Sequence, residues 1–375
     1  MADAIRILGL EPYYGGARAA FLDGLRARSR HRWTLLVMPA RKWEWRMRGA
    51  ALHLAKEAGG LARQAFDLVL ATDSLALADW RALAPPSLAA APAVTYFHEN
   101  QVVPALSGER RSAEFAFRNL TACLAAHQVW FNSAYHREGF LAATEALLGR
   151  MPDFVPAGLA AAIGRKSRVL PPGADLAPLA AARTDKRFPE AFPRRRPLII
   201  LWNHRWEPES DPEAFFQVLF DLARQGAPFR LAVVGEAHRK WPPVFDEARR
   251  RLGDRLVRFG YLPDRRDYEA QVRAADIVVS TAASEPFGLA VVEAVAAGCF
   301  PLVPHRLSYP EIVPAELRAT FLYKDEHELR VKLARLLAGK GPWDRLETLA
   351  DHVRRYDWAN LAPAYDDALA DAARA

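Results

Sequence analysis

Short apolar runs recur along the whole chain, most of them four to six residues long, rich in β-branched side chains and closed by glycine, proline or a polar loop. One set comprises Ile5–Leu10, Trp33–Met38, Phe66–Ala71, Val94–His98 and Val129–Phe131. A second comprises Leu198–Trp202, Arg230–Val234, Leu256–Phe259, Ile277–Ser280 and Phe300–Val303. The Ala/Leu/Arg segments between them carry the period of an amphipathic helix, as in Pro212–Arg224 and Tyr268–Ala275. Continuously apolar strands alternating with helices predict parallel sheets covered on both faces. The polar, Pro-containing stretch 181–197 separates the two sets and reads as a linker. The expected fold class is therefore α/β, with two Rossmann-like doubly wound parallel-sheet domains. One spans residues 1–180 and the other 198–375, with the C-terminal helix a candidate to return to the first. Ligands of such sheets sit at the carboxyl ends of the strands, so a site in the cleft between two facing domains is expected.

A chain of 375 residues is long enough for two such cores. Its 51% hydrophobic and 25% charged content excludes wholesale disorder and coiled coil. Cys123 and Cys299 are the only cysteines, too few for a disulfide framework or a four-cysteine zinc site, and they suggest a reducing compartment. No apolar run approaches the ~18 residues of a membrane span, and the opening MADAIRILGLEPYY turns polar too quickly for a secretion signal. The expectation is a cytoplasmic protein without a membrane partner. Charge changes the picture more. The net formal charge is +7, and within residues 26–48 eight basic side chains face Glu44 alone. Such a cluster suits a polyanionic partner, although a solvated face of an Arg-rich protein has the same composition.

The sharpest chemical feature is Glu285-Pro-Phe-Gly-Leu-Ala-Val-Val-Glu293, which follows the run IVVS and the loop TAAS and enters a helix-like VVEAVAAG. It puts Glu285 in the loop after a strand and Glu293 within the first turns of a helix. Gly288 lets backbone approach a ligand, and the N–H groups of a helix start attract an anion. Carboxylates on either side can accept hydrogen bonds from vicinal hydroxyls, so the arrangement suits a nucleotide sugar. Trp202-Asn-His-Arg205-Trp follows the run LIIL, and a guanidinium there can meet a diphosphate in bidentate fashion. His98 ends a strand in the polar cluster His-Glu-Asn-Gln. No D-x-D, H-E-x-x-H, paired C-x-x-C, G-x-S-x-G or Walker motif is present.

With these motifs in place, the second half resembles the retaining GT-B glycosyltransferases of the glycogen-synthase-like group, which carry an E-x7-E signature. EPYYGGARAAFLDGL, MPARKWEWRMRGAAL, YFHENQ and RLSYPEIVP are more specific, and they resemble the tRNA-queuosine alpha-mannosyltransferase family, from about residue 8 to about residue 325. The resemblance implies transfer of mannose from GDP-mannose, with retention, to the cyclopentene-diol of queuosine in the anticodon of tRNA-Asp. No metal or resident cofactor is implied. Carried over, it places Gly15 and Gly16 at the donor phosphates, His98 near the sugar and Arg205 on the diphosphate. Glu285 matches the sugar-hydroxyl ligand and Glu293 the ribose ligand. Phe287, Gly288 and Leu289 match the loop on the β-phosphate and sugar, and Gly260, Tyr261 and Leu262 the segment beside the base. Superfamily members place a lysine five residues after this arginine, where the chain has Ser210. A second diphosphate cation would then fall to Lys240 or Arg239.

Beside that resemblance, the basic window becomes a candidate tRNA surface comprising Arg41, Lys42, Trp43, Trp45, Arg46 and Arg48. Guanidinium groups hold phosphates while aromatics stack on unpaired bases. In an extended segment Trp43 and Trp45 would share one side, opposite Lys42, Glu44 and Arg46. Two rival readings are a GT-B enzyme acting on a lipid or polysaccharide and a catalytically inactive tRNA-binding protein.

Overall fold

A computed structural model describes residues 4–105, 110–180, 196–236 and 241–375. The chain divides into two compact units, 1–174 with 358–375, and 175–357. Of the expected linker, only Arg196 and Pro197 fall among the described residues.

The first unit holds a parallel sheet of β1 (Arg6–Tyr14), β2 (Arg32–Pro39), β3 (Leu68–Thr72), β4 (Ala93–Phe97), β5 (Gln128–Phe131) and β6 (Ser167–Val169) in the order β2-β1-β3-β4-β5-β6. Its inner strands are apolar on both faces because both are covered. In β3, Val69 and Ala71 pack into one core and Leu68 and Leu70 into another, as the period of two requires. The second unit holds β7 (Leu198–Trp202), β8 (Phe229–Val234), β9 (Leu256–Gly260), β10 (Ile277–Val279), β11 (Phe300–Pro304) and β12 (Leu322–Tyr323) in the order β12-β11-β10-β7-β8-β9. Counted within the unit this is the Rossmann order, whereas the first sheet follows the flavodoxin-like order extended by one strand. The strand order reverses between β1 and β3 in one unit and between β7 and β10 in the other. Those switch points open the crevices in which α/β sheets bind ligands.

Two strands escape the sequence pattern. β6 and β12 are short edge strands of three and two residues, too brief to show an apolar run. The segment after β2, considered above as extended in placing Trp43 and Trp45 on one side, is helical instead. It is the helix Trp43–Ala58, whose buried face of Met47, Ala50, Ala51, Leu54, Ala55 and Ala58 keeps helical spacing.

The C-terminal helix Trp358–Ala372 belongs to the first unit. Asp366 accepts a hydrogen bond from Arg30 N at 2.9 Å, and Tyr365 Oη donates to Pro171 O at 2.9 Å. The Trp358 indole lies where Gly24 and Gly173 leave room, since a Cβ on either would come within 2.1 or 2.4 Å of it. Trp358→Ala is expected to destabilise this unit by about 3–5 kcal/mol, the cost of emptying a large core site. Chemical denaturation followed by tryptophan fluorescence measures it.

Candidate active site

In the second unit, the loops after β7 and β10 meet at the switch point. Between β7 and the helix Pro212–Arg224 runs the turn Pro208–Ser210, stitched to the loop that leads to Glu285. Glu209 O accepts from Ala283 N at 2.9 Å and Ser284 N at 3.1 Å, and Thr281 Oγ1 donates to Ser210 O at 3.0 Å. Ser210 itself is buried, so the position expected to carry a cation serves instead as a joint between the two loops. Lys240 and Arg239 lie outside the described residues.

Glu285 caps its own loop. Its Oε1 accepts from Gly288 N at 3.0 Å and Phe287 N at 3.3 Å, just ahead of the helix Leu289–Ala296. Gly288 has φ +95°, and a Cβ there would come 2.9 Å from the Tyr309 ring, so glycine alone fits. The loop is buttressed from behind by the RLSYPEIVP segment. Ser308 Oγ donates to Phe287 O at 2.7 Å and Glu285 O at 3.2 Å, and Tyr309 Oη meets Ser280 Oγ at 2.6 Å. Arg306 Nη2 donates to Thr281 O at 2.9 Å and Ala282 O at 3.0 Å. Burial, followed by the Glu285 charge, pushes the Tyr309 hydroxyl well above its ordinary value, so it stays protonated. The N–H groups of Leu289 and Ala290 stand in a first turn, where a helix supplies no acceptor of its own.

Glu293 is engaged at both oxygens. Arg265 Nη2 donates to Oε1 at 2.7 Å and Tyr268 Oη to Oε2 at 3.0 Å, while Asn203 Nδ2 donates to that same tyrosine oxygen at 3.1 Å. A carboxylate has further lone-pair sites, so ribose hydroxyls can join this network or displace part of it. Arg205 is exposed directly after β7, with Glu207 Oε2 3.4 Å from its Nε. Beside it His204 is buried, and burial, then the Arg205 charge, lowers the imidazole to about 4. Gly260 closes β9 at φ +123°, followed by an exposed Tyr261 and a buried Leu262. Phe287 and Leu289 stand in the loop and helix start that follow β10, whereas Gly260–Leu262 follows the edge strand β9, which β8 separates from β7.

The first unit gathers a second polar group at its own switch point. Gly15 precedes the helix Gly16–Arg28, and a Cβ on Gly15 would come 2.5 Å from Ala40 Cβ, while Gly16 takes φ +53°. His98 follows β4. Its N donates to Asp73 Oδ1 at 3.0 Å, and its carbonyl accepts from Asn132 Nδ2 at 2.9 Å. The ring packs edge-on against Phe21 and Tyr96, with centroids 4.9 and 4.8 Å away. Arg18 clamps Asp73 through two hydrogen bonds of 2.8 and 2.7 Å. Sequence reasoning does not single out Arg18, Asp73 or Glu11. Arg18 and Glu11 lie inside the EPYYGGARAAF motif, but nothing in their spacing marks them as partners.

On the basic helix, Lys42 adopts φ 55° and turns the chain from β2 into Trp43. Trp43 and Trp45 are 45% and 59% exposed, which is high for indoles. Arg41 and Lys42 are exposed. Arg46 is buried and donates to Pro39 O at 3.3 Å, so it braces the turn and leaves the candidate phosphate-binding set. Arg48 is committed to Glu44 at 3.3 Å and Glu114 at 3.1 Å, and it lies over Phe115.

Comparison with known proteins adds to this geometry. Residues 6–174 match the family model described as tRNA-queuosine alpha-mannosyltransferase N-terminal, and residues 183–352 that of glycosyl transferases group 1. A Drosophila melanogaster protein named tRNA-queuosine alpha-mannosyltransferase is 34% identical over 335 residues, 87% of this chain and 85% of that one. The chain belongs to the tRNA-queuosine alpha-mannosyltransferase family. It is a glycosyltransferase. The structure is similar to that of Anabaena HepE in complex with UDP, with TM-score 0.68, 18% identity and coverage of 98% and 100% of the two chains. It is also similar to sucrose-phosphate synthase from Thermosynechococcus elongatus, with TM-score 0.68, 16% identity and coverage of 97% and 98%. At these identities the likeness speaks to the GT-B fold. No helix among the described residues is long and apolar enough to cross a membrane.

Proposed function

We propose that this enzyme transfers mannose from GDP-mannose to the cyclopentene-diol of queuosine in tRNA-Asp, acting in the cytoplasm. The observation that supports this most is the match of residues 6–174 to the N-terminal family model, because that model is specific to this family by name whereas the one over residues 183–352 is that of glycosyl transferases group 1. Chemically, the donor diphosphate would rest on the helix start at Gly288, with Arg205 balancing the charge that grows as the bond from C1 to the phosphate oxygen breaks. The acceptor hydroxyl oxygen forms the new bond to C1 on the same face, and its proton passes to the leaving phosphate. Glu285 orients the sugar hydroxyls and Glu293 the ribose, and the family resemblance assigns His98 to the sugar.

Nucleoside mass spectrometry of tRNA incubated with the enzyme and several nucleotide sugars in turn tests the proposal. A hexose added to queuosine from GDP-mannose alone is expected. Addition from another donor overturns the donor assignment, and addition to another nucleoside overturns the acceptor. With arginine and helix N–H groups meeting the diphosphate, we further propose that no metal cofactor takes part. Activity in excess EDTA is then expected to match the untreated enzyme, and loss restored by manganese or magnesium would reverse that expectation.

A further inference from the structure

We propose that Arg18, clamped between Asp73 and Glu11, is the positioning residue for His98. The proposal rests on the assignment of His98 beside the donor sugar. The groups come from four different elements at one end of the first sheet. Glu11 lies in β1, Asp73 follows β3, His98 follows β4, and Arg18 reaches across from the helix Gly16–Arg28. Asp73 Oδ1 accepts both Arg18 Nη1, at 2.8 Å, and the His98 main-chain N, at 3.0 Å. One carboxylate oxygen thus joins the guanidinium to the histidine backbone. Arg18 Nη1 also lies 3.9 Å from Glu11 Oε2. Glu11 is wholly buried, and its other oxygen accepts Tyr13 N at 2.7 Å in the strand end that leads to Gly15 and Gly16. The same ion cluster therefore braces both the glycine turn and the histidine.

The chemistry of the ring agrees with this role. His98 Nε2 is shielded from solvent and has no hydrogen-bond partner in the structure. Burial first, then the Arg18 charge and then His136, holds the imidazole well below its ordinary value, so it is neutral at working pH. The charged and titratable groups around it are Arg18 on its helix, Asp73 and Glu11 from the neighbouring strand ends, Glu99 next in sequence, and His136, itself held at about 3 chiefly by burial. Tyr96 and Phe21 enclose the ring and bring no charge. A neutral ring can present one nitrogen as an acceptor to a substrate hydroxyl, and an imidazolium cannot.

The test uses the whole enzyme with GDP-mannose and queuosine-containing tRNA, and compares Arg18→Gln, Arg18→Lys and His98→Gln. Arg18→Gln removes the clamp and the charge. The expected loss in kcat is on the order of 10- to 100-fold, with little change in donor KM. The acid limb of kcat should move upward in pH, because the ring then protonates more readily. Arg18→Lys keeps the charge without the fork, so the limb should stay in place while kcat remains low. Wild-type kcat in Arg18→Lys overturns the geometric part, and it decides the matter if the glutamine variant does not fold. In 15N-histidine NMR of the wild-type enzyme, the signal missing from His98→Gln is expected to stay neutral well below the ordinary imidazole value. Titration at the ordinary value near 6.5 overturns the electrostatic part. Full transfer by His98→Gln would instead remove the histidine assignment, and the same NMR titration of Arg18→Gln, where an upward shift is expected and an unchanged one overturns the link, would still show whether Arg18 governs the ring.

Discussion

Replacing Glu285 by alanine is expected to lower kcat about 10²- to 10³-fold and leave the fold intact, the usual cost of removing one preorganised group from a reacting centre. The side chain has two jobs in the structure. It accepts from Phe287 N and Gly288 N, which sets the turn into the helix, and its carboxylate charge stands beside those same N–H groups. The turn has other supports that the substitution leaves in place. Ser308 holds the Phe287 carbonyl, Arg306 holds two carbonyls of the preceding loop, and Glu209 O takes Ala283 N and Ser284 N. Glu285→Gln keeps an oxygen for the N–H groups and loses the charge, so it should recover loop geometry without recovering turnover. Circular dichroism and thermal melting check the fold, and single-turnover transfer checks the chemistry. Near-wild-type turnover in folded Glu285→Ala would remove this residue from the donor site.

The architecture is legible in the sequence because parallel strands buried on both faces read as continuous apolar runs; ten of the twelve strands show as apolar runs, the edge strands β2 and β9 only partly buried. The edge strands β6 and β12 are too short for burial to leave a pattern on them. The loop we propose for the donor stands out in the sequence because one segment carries all of it, Glu285 through Glu293. Its supports do not. Ser308, Tyr309 and Arg306 act on that loop and the strand end before it from about 20 residues or more away in sequence, through hydrogen bonds that a linear pattern cannot pair. The Glu11–Arg18–Asp73 cluster escapes for the same reason, since Arg18 and Asp73 are 55 residues apart. The motif presents Glu293 as a free ribose ligand, and the structure adds Arg265 and Tyr268 to it. The basic window is visible in the sequence by charge alone. Burial then separates Arg46 from Arg41 and Lys42, a distinction composition does not contain.

The helix Trp43–Ala58 is where the largest effect on tRNA affinity is expected, and the indoles and the cations should fail in different ways. Trp45 lies back along its own helix over Gly49, where a Cβ would come 2.9 Å from the indole. The glycine therefore lets a mostly exposed ring rest in one orientation. Trp43 is braced by Phe115, with centroids 5.2 Å apart. Exposed, oriented rings next to cations form the kind of platform on which an unpaired anticodon base can stack, and we propose that they do so. Trp45→Ala should then cost about 1–3 kcal/mol of tRNA binding with an unchanged salt slope, because stacking releases no counterions. Gly49→Ala should produce part of that loss by pushing the indole aside. Arg41 and Lys42 form no ion pair among the described residues, so their neutralisation should lower the slope of log affinity against log salt by about 0.7–0.9 for each phosphate that is no longer neutralised. Arg46→Gln should instead lower stability, since it takes the brace from the Pro39 carbonyl. Filter binding over a salt series separates these outcomes. Donor hydrolysis without tRNA, which on the proposed donor site draws on the loops of the second unit, should barely change in any of the variants. If Trp45→Ala and the neutralised pair bind tRNA with wild-type affinity and slope, this helix is a solvated face and the acceptor is held elsewhere.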